Sequence, residues 1–400
     1  MDVTPMLRRP GVPRADWTPP ASDPELVARI RSEIDAAGPM TFARFMELAL
    51  YDPARGYYRL VAPGPGRDGD FLTAPEVHPL FGATLALAVV EVWRAAGSPR
   101  RFAIVEYGAG RGALAMPLLG ALAEEHPELV EAVDYVPIEL NEHRVAELRA
   151  RLASAGLTGV LRAHSRPTVG IAIANEYLDA LPVHVVEPRD GRLAELFVVA
   201  TADGALSATL GPPSTPALEA RLLDEDVRLA EGQRAEICLD LEDWVADVSR
   251  RIGRGVLLVI DYGAPAAELY GPSRMGGTLM AYAGHRAHDD PFAGIGRQDL
   301  TAHVDLTAVQ RALVAQRWRP LGHTSQAAFL AGSGMEGVLA RMRARATDLE
   351  SQLALRAATG RLLDPRSTGG FHVLAASRGL PRPFSPAGFA YRIPGGRSSP

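Results

Sequence analysis

The stretch FAIVEYGAGRG, residues 102–112, decides the fold of this chain. Its first six residues form a mostly apolar run typical of a buried strand, and the glycines that follow allow a tight turn into a helix. Similar runs occur at residues 135–140, 170–174 and 255–260, with helical stretches between them. Strands that alternate with helices are typical of a parallel sheet. The sequence therefore predicts an α/β fold built on a mostly parallel sheet.

The glycine-rich turn predicts a nucleotide-like cofactor. Backbone without a Cβ atom at Gly108, Gly110 and Gly112 can approach a ligand closely. Together with Ala113 the same glycines also fit the dinucleotide pattern G-x-G-x-x-G/A, so the motif alone leaves a dinucleotide and S-adenosylmethionine (SAM) open. Glu106 favours SAM, because a carboxylate at the strand tip would repel a pyrophosphate but could hold the ammonium of a methionine moiety. A turn that binds no ligand is the structural alternative.

Glu139 ends the second strand of the predicted sheet. It lies 27 residues after Gly112, somewhat beyond the roughly 20 residues expected for a dinucleotide site. Its carboxylate could accept both ribose hydroxyls of either cofactor. A surface charge without a ligand is the alternative interpretation.

Asn175 and Glu176 follow the third strand directly. Open parallel sheets bind ligands beyond the carboxyl ends of their strands, so both residues are candidates for an acceptor site. The alternative is that Asn175 caps the next helix while Glu176 favours its positive end.

Three further groups of polar residues are weaker candidates. Thr73 and Glu76 fit a helix capping box, and Asp261 follows the fourth strand as a strand-end acid. His285 and His288 lie among glycines and a proline, so no regular element is expected to fix their spacing, and no metal site is predicted. The sequence contains neither a G-x-S-x-G elbow nor a Walker loop.

Composition and charge exclude several classes of protein. The chain has 400 residues, and its 42 basic side chains, all arginine, are scattered among 47 acidic ones, for a net charge of −5. This pattern excludes a basic nucleic-acid surface. The single Cys238 excludes an intrachain disulfide. Without a membrane span or a secretory signal, the sequence predicts a cytoplasmic protein.

The order of its motifs identifies the chain as similar to the MidA-like family of SAM-dependent methyltransferases, over roughly residues 24–335. The resemblance rests on these motifs: Met40-Thr41-Phe42, Tyr51-Asp52-Pro53, Gly56-Tyr57-Tyr58, Gly69-Asp70-Phe71 with Thr73 and Pro75-Glu76, Glu106-x-Gly108-x-Gly110-x-Gly112, Asn175-Glu176-x-x-Asp179-Ala180-Leu181-Pro182-Val183, Asp261-Tyr262-Gly263, Gly277-Thr278 to His288-Asp289, and Asp299-Leu300-Thr301-Ala302-His303-Val304-Asp305.

The resemblance implies a class I methyltransferase sheet, Rossmann-like, with an N-terminal helical cap and an inserted substrate-side segment. It also implies that the three glycines approach SAM and that Glu139 holds its ribose. The segment from Gly69 to Glu76, with Asp70 and Thr73, would close the pocket near the methyl group together with Asn175 and Glu176. The expected divisions are a flexible tail (1–20), a helical cap with a cofactor-covering loop (21–100), the methyltransferase domain (101–380) with an insertion at about 185–235, and a disordered tail (381–400).

The expected activity is methyl transfer from SAM to a nitrogen, with the arginine guanidine of a protein or peptide as the expected acceptor. Carboxylates orient a guanidinium and stabilise charge as its proton leaves. Glu176 is the first choice for this role, followed by Glu76 and Asp179. A small-molecule acceptor, an assembly or scaffolding factor with little turnover and a nicotinamide-dependent dehydrogenase are the alternatives. Neither nucleic acid nor a membrane is an expected partner, and the oligomeric state is left open.

Overall fold

The computed structural model of the chain describes residues 18–60, 70, 72–161 and 168–390. Most of the predicted N-terminal tail lies outside the described residues, as do Gly69 and Phe71 of the quoted motifs and residues 391–400 of the predicted C-terminal tail. Within the described part of that tail, Ala387–Phe389 forms a 3₁₀ turn, and the Phe389 ring packs on Phe329 with ring centroids 5.1 Å apart.

The described residues contain helices and strands in alternation. The helices are α1 (Pro24–Ala37), α2 (Phe42–Tyr51), α3 (Ala74–Val77), α4 (Leu80–Ala95), α5 (Ala115–Glu125), α6 (Pro127–Ala132), α7 (Glu142–Ser154), α8 (Ala217–Asp224), α9 (Leu241–Arg251), α10 (Ala266–Leu269), α11 (Leu306–Ala315), α12 (Gln326–Gly332), α13 (Met335–Arg345) and α14 (Leu349–Leu363). The strands are β1 (Met40–Thr41), β2 (Phe102–Tyr107), β3 (Val133–Ile138), β4 (Thr168–Asn175), β5 (His184–Arg189), β6 (Arg192–Ala200), β7 (Leu206–Gly211), β8 (Ala235–Ile237), β9 (Ile252–Asp261), β10 (Gly263–Ala264), β11 (Met280–Ala283), β12 (Arg286–His288), β13 (Asp299–Thr301), β14 (Val304–Asp305), β15 (Arg319–Ser325) and β16 (His372–Arg378).

The chain divides into two compact units. One, called here the parallel-sheet unit, comprises Thr73–Tyr177, Asp243–Tyr262 and the described part of Gln310–Pro400. The other, called the hairpin unit, comprises the described parts of Met1–Leu72, Leu178–Glu242 and Gly263–Val309. Each unit therefore combines segments that are distant in the sequence.

The parallel-sheet unit contains a six-stranded sheet in the order β15-β16-β9-β4-β2-β3. Strands β3, β2, β4 and β9 run parallel, whereas β16 is antiparallel to both of its neighbours. All six residues of β2 are buried, which is why its sequence does not alternate between apolar and polar residues. The predicted α/β fold with a mostly parallel sheet is confirmed, and it brings the carboxyl ends of β2, β3, β4 and β9 to one edge.

The hairpin unit is built on an antiparallel sheet in which β1, β6, β5 and β8 are neighbours and β7 pairs with β6. The alternation and glycines of residues 189–210 predict a hairpin, and antiparallel pairing is present there: β5 pairs with β6 from Val186↔Glu195 to Arg189↔Arg192, and β6 pairs with β7. Helices α1 and α2 contribute Ile30, Phe42 and Phe45 to its apolar core.

Two elements begin or end away from their predicted positions. The second strand of the parallel sheet ends at Ile138, not at Leu140, because the Glu139 carboxylate accepts a hydrogen bond from the Asn141 amide at 2.9 Å and turns the chain there. The sequence pattern of residues 304–316 predicts a helix from Val304, but α11 begins at Leu306, because Val304–Asp305 forms β14 and pairs with Gly263–Ala264. The spacing of apolar residues alone predicts neither the end of β3 nor the start of α11.

Candidate functional site

The turn after β2 provides backbone that a ligand can approach closely. Gly108, Gly110 and Gly112 have φ angles of +70°, +52° and +82°, which L side chains rarely adopt. A Cβ atom at Gly112 would lie 2.4 Å from Leu148 Cδ1, so that glycine is required for packing. A Cβ atom at Gly110 would meet only the Gly108 carbonyl oxygen, at 3.9 Å. Gly110 is therefore a glycine with open space beside it.

Glu106 is buried at the tip of β2, with 5% of its surface exposed. Its Oε2 accepts a hydrogen bond from the Tyr135 hydroxyl at 2.8 Å. Burial raises the pKa of Glu106 to about 8, the hydrogen bond from Tyr135 opposes this rise, and the charge of Glu139 adds to it. Without a cation beside it, this carboxyl is therefore mostly protonated at neutral pH.

Glu139 connects the glycine turn to the start of α7. Its Oε2 accepts a hydrogen bond from the Gly110 amide and its Oε1 accepts one from the Asn141 amide, both at 2.9 Å. The Asn141 side chain in turn caps α7. These contacts hold the Glu139 carboxylate beside the glycine turn at the carboxyl edge of the sheet.

Asn175 and Glu176 lie at the end of β4. Glu176 has a φ angle of +48°, a conformation unusual for a residue with a side chain. Its Oε1 accepts hydrogen bonds from the Ala74 amide at 2.7 Å and from Asn175 Nδ2 at 3.1 Å. Asn175 Oδ1 is buried and accepts no hydrogen bond from a described residue. Strain and an unsatisfied acceptor at the end of a parallel strand are features of a ligand site.

The predicted capping box before α3 is present. Glu76 Oε2 accepts hydrogen bonds from the Thr73 amide at 3.1 Å and the Thr73 hydroxyl at 3.0 Å. Burial raises the pKa of Glu76, and the hydrogen bonds from Thr73 and then the charges of Arg144 and Arg111 oppose the rise. Because Ala74 begins α3 and donates to Glu176, this short helix is held against the end of β4.

Asp70 and Asp179 belong to the hairpin unit, where both are buried. Asp70 accepts hydrogen bonds from the Tyr57 hydroxyl at 2.7 Å and the Gly284 amide at 2.6 Å. Close to them lies Asp299, which is 1% exposed and accepts a hydrogen bond from the Tyr58 hydroxyl at 2.8 Å. Burial raises the pKa of Asp299, and the charges of Asp179 and, less strongly, Asp70 raise it further.

These three carboxyl groups are called here the buried acidic cluster (Asp70, Asp179 and Asp299). Asp299 was part of the quoted motifs, but the sequence assigned it no role. Tyr135, the partner of Glu106, was also missed. Strand alternation places Tyr135 on one face of β3, but only the register Ile104↔Tyr135 shows that this is the face on which Glu106 lies.

His285 and His288 differ from the sequence prediction. An irregular segment was expected, but Arg286–His288 forms β12, which pairs with β11. The register His288↔Ala281 therefore fixes His288 at the end of a strand. Among the described residues, no group of three His, Cys, Asp or Glu side chains is arranged to hold a metal ion.

The residues at this edge fit SAM. An open glycine cradle, a buried carboxyl at Glu106 and a buried acceptor without a donor at Asn175 match a ligand that carries an ammonium and an adenosine. Residues 84–324 match the model of the family described as "Putative S-adenosyl-L-methionine-dependent methyltransferase". The chain belongs to this methyltransferase family. SAM is accordingly its cofactor, and the dinucleotide alternative is excluded.

Curated relatives support the same assignment over most of the chain. The protein arginine methyltransferase NDUFAF7 homologue of Drosophila melanogaster is 30% identical, over 91% of this chain and 89% of its own length. The human protein arginine methyltransferase NDUFAF7 is 27% identical, over 88% of this chain and 83% of its own length. This coverage extends well beyond the glycine turn, so the likeness is not that of a shared cofactor motif alone.

A solved structure has the same fold. A protein from Burkholderia thailandensis, described as a "COG1565 superfamily member and likely methyl transferase" and bound to S-adenosylhomocysteine (SAH), superposes with a TM-score of 0.82 at 35% identity, over 93% of this chain and 98% of that one. The class I methyltransferase fold predicted from the resemblance is thereby confirmed.

The predicted cytoplasmic location is contradicted by the relatives, because the Drosophila and human proteins are mitochondrial. The prediction rested on a lone cysteine and on missing signals. A lone cysteine is compatible with several reducing compartments, so it does not distinguish among them. In the described part of the chain, we find no helix that combines the length and apolar character needed to cross a membrane.

Proposed function

We propose that this methyltransferase transfers the methyl group of SAM to a nitrogen of an arginine guanidine in a protein or peptide. Both curated relatives described above are named protein arginine methyltransferases, which supports an arginine acceptor. A guanidinium is a planar cation that carboxylates bind through paired hydrogen bonds. The carboxyl groups of Glu176, Glu76 and Asp179 supply the matching chemistry.

The proposed cofactor site lies at the glycine turn. Gly108, Gly110 and Gly112 would admit SAM to the backbone, and Glu106 would hold its ammonium. Glu139 would accept its ribose hydroxyls. Both Glu139 oxygens already accept one hydrogen bond each, but a carboxylate oxygen has a second lone pair for a hydroxyl.

Three further residues are proposed to complete the cofactor pocket. Asn175 Oδ1 is a buried acceptor that a donor of the ligand can satisfy. Thr73 is held by Glu76 in the capping box that begins α3. Asp70 is proposed as a cofactor-binding residue, as the family resemblance implies.

The proposed reaction needs positioning more than covalent catalysis. SAM supplies an electrophilic methyl group: its carbon–sulfur bond breaks as the carbon–nitrogen bond forms, SAH leaves, and the guanidine nitrogen loses a proton. Glu176 would orient the guanidine and stabilise its charge as that proton leaves. The observation that carries this role is the positive φ of Glu176, which holds its carboxylate at the end of β4 beside Asn175.

Glu76 and Asp179 are proposed to support the acceptor. Burial raises the pKa of Glu76, so this carboxyl can hold a proton more readily than an exposed one. Asp179 belongs to the buried acidic cluster, and its charge raises the pKa of Asp299. A cation beside these carboxyl groups would be favoured. A guanidinium is a cation of that kind.

Labelled SAM tests the proposal directly. The purified chain is incubated with methyl-labelled SAM and a lysate of the source cell, and mass spectrometry identifies what acquires the label. Methylated arginine in a protein or peptide is the expected result, and Glu176→Gln serves as the inactive control. Label only in small molecules would contradict the arginine acceptor. Tight SAH binding with no transfer to any lysate component would favour an assembly factor and contradict the proposed catalysis.

A further inference from the structure

Arg144, in the first turn of α7, is a buried cation with an unused hydrogen-bond donor. Only 3% of its surface is exposed, and its Nη2 atom is buried and donates to no described residue. A buried charge without a partner costs several kcal/mol of folding free energy. Natural sequences seldom keep such a group unless it binds an anion.

The face of α7 that carries Arg144 borders the glycine turn. One helical turn later, Leu148 packs against Gly112, since a Cβ atom added to Gly112 would lie 2.4 Å from Leu148 Cδ1. Arg151 Nη1 donates to the Arg111 carbonyl oxygen at 2.8 Å, and Arg111 pairs with Glu147 at 3.0 Å. Residues three and four apart share one side of a helix, so Arg144 lies on the same side as these contacts, toward the start of α7.

One acidic side chain close to Arg144, that of Glu76, does not form an ion pair with it. The Arg144 charge opposes the rise in the pKa of Glu76 that burial causes, so the two groups are close. Yet Glu76 Oε2 is held by the Thr73 amide and hydroxyl. Among the ion pairs of the described residues, none joins Arg144 to Glu76 within 4.0 Å. The guanidinium therefore keeps a donor for another anion.

We propose that Arg144 binds the α-carboxylate of the methionine moiety of SAM. This carboxylate is the only anionic group of SAM. Arg111, within the glycine turn, is already paired with Glu147 at 3.0 Å. The assignment rests on SAM binding at the glycine turn. Glu106 and Arg144 would then recognise the two opposite charges of the same amino-acid group.

Calorimetric titration of two ligands tests the proposal without any turnover. SAM and decarboxylated SAM carry the same sulfonium and ammonium and differ only by the carboxylate. The unaltered chain is expected to bind SAM about 10- to 100-fold more tightly than decarboxylated SAM, the range typical of a hydrogen bond to a charged group. Arg144→Met is expected to bind SAM more weakly and decarboxylated SAM as tightly as before, so the preference is lost.

Controls separate this role from a structural one. Arg149→Met changes an exposed arginine of the same helix and is expected to leave both affinities unchanged. Arg144→Lys keeps the charge and is expected to retain part of the preference, which provides a second variant if Arg144→Met does not fold. Thermal melting monitored by circular dichroism checks the fold of each variant.

Two outcomes would overturn the proposal. Equal affinity of the unaltered chain for the two ligands would mean that no residue recognises the carboxylate. Equal weakening of both ligands in a folded Arg144→Met chain would assign Arg144 a structural role only. Failure of the unaltered chain to bind SAM or SAH at all would instead contradict the cofactor site itself, and lack of methyl transfer with normal binding would contradict only the proposed acceptor.

Discussion

Glu106 in the parallel-sheet unit and Asp299 in the hairpin unit are built on the same local pair. Each is a buried carboxyl that accepts a hydrogen bond from a tyrosine hydroxyl at 2.8 Å, from Tyr135 and Tyr58 respectively. Burial is the largest cause of a raised pKa in both. Their surroundings differ, and that difference decides what each can do.

Glu106 has one acidic neighbour of importance, Glu139, and lies at the glycine turn. A single cation beside Glu106 can therefore stabilise its ionised form and make an ion pair with it. Asp299 has two further carboxyl groups beside it, Asp179 and Asp70. A larger cation with several donors, such as the proposed guanidinium, would match that cluster. The same tyrosine–carboxyl hydrogen bond therefore does not determine the role of a buried carboxyl group. The neighbouring charges influence which cation it would bind.

The largest expected effect is on cofactor binding at the glycine turn, on the Glu106 side of this comparison. We expect Gly110→Val to abolish measurable SAH binding, because a β-branched side chain at a φ of +52° is strained and fills the open side of the turn. Isothermal titration measures the loss. Gly156→Val is the matched control: its φ of +72° imposes similar strain, about 1–3 kcal/mol, but no atom lies within 4 Å of its added Cβ. Normal SAH binding by Gly110→Val would contradict the placement of the cofactor.

The second prediction separates catalysis from cofactor binding. We expect Glu176→Gln to reduce methyl transfer about 100- to 1000-fold, the range for loss of one charge-stabilising group, while SAH affinity changes little. Label transfer from SAM and calorimetry with SAH measure the two quantities. Glu142→Gln, at an exposed glutamate of α7, is expected to retain both. A parallel loss of transfer and binding would make Glu176 a cofactor residue.

The third prediction tests the ionisation of Glu106. Because its pKa is about 8 without ligand, most molecules carry a proton there at pH 7, and binding an ammonium must release it. We expect SAH affinity to rise with pH by up to about tenfold per unit below pH 8. Calorimetry in buffers of different ionisation enthalpy should register release of nearly one proton at pH 7.

Two variants sharpen this third test. Glu106→Gln is expected to bind SAH about 10- to 100-fold more weakly, with no proton release from this site. Tyr135→Phe removes the hydrogen bond that lowers the pKa of Glu106, so its affinity profile should shift to higher pH. An unaltered pH profile in both variants would show that Glu106 does not face the ammonium.

The smallest expected effect concerns Asp299. Its pKa in the folded chain lies above the value of 3.8 of an unperturbed aspartate, so the folded state holds this proton more tightly, and stability is lost as pH rises above that value. Asp299→Asn removes the ionisable group and is expected to raise the free energy of unfolding by about 1–2 kcal/mol at pH 8. Urea unfolding at pH 4 and pH 8 measures it. An equal effect at both pH values would contradict repulsion within the buried acidic cluster.

Much of the parallel-sheet unit could be predicted from the sequence. The first strand coincides with β2, Phe102–Tyr107, and the cap Asn141 begins α7 as expected. Apolar runs and caps are local signals, because a buried strand and a helix start impose their requirements on adjacent residues. Glu106, Glu139 and Asn175-Glu176 could be chosen for the same reason: each follows or ends a strand that the sequence itself marks.

Pairings between distant segments could not be predicted in this way. The register of β2 against β3 brings Tyr135 to Glu106, and the packing of α7 brings Leu148 to Gly112 of the glycine turn. The neighbours of Asp299 come from three stretches of the chain that share no local pattern. Burial and proximity to other charges shift a pKa, and both depend on which segments meet.

The sequence by itself determined the α/β fold, the position of the glycine turn and the polar residues at the strand ends, because strand burial, tight turns and helix caps act over a few neighbouring residues. Only the tertiary structure decided which of those residues carry a proton, which donor has no partner and which carboxyl groups repel one another. Solvation and Coulomb interactions act through space, and the fold brings together groups that are far apart along the chain.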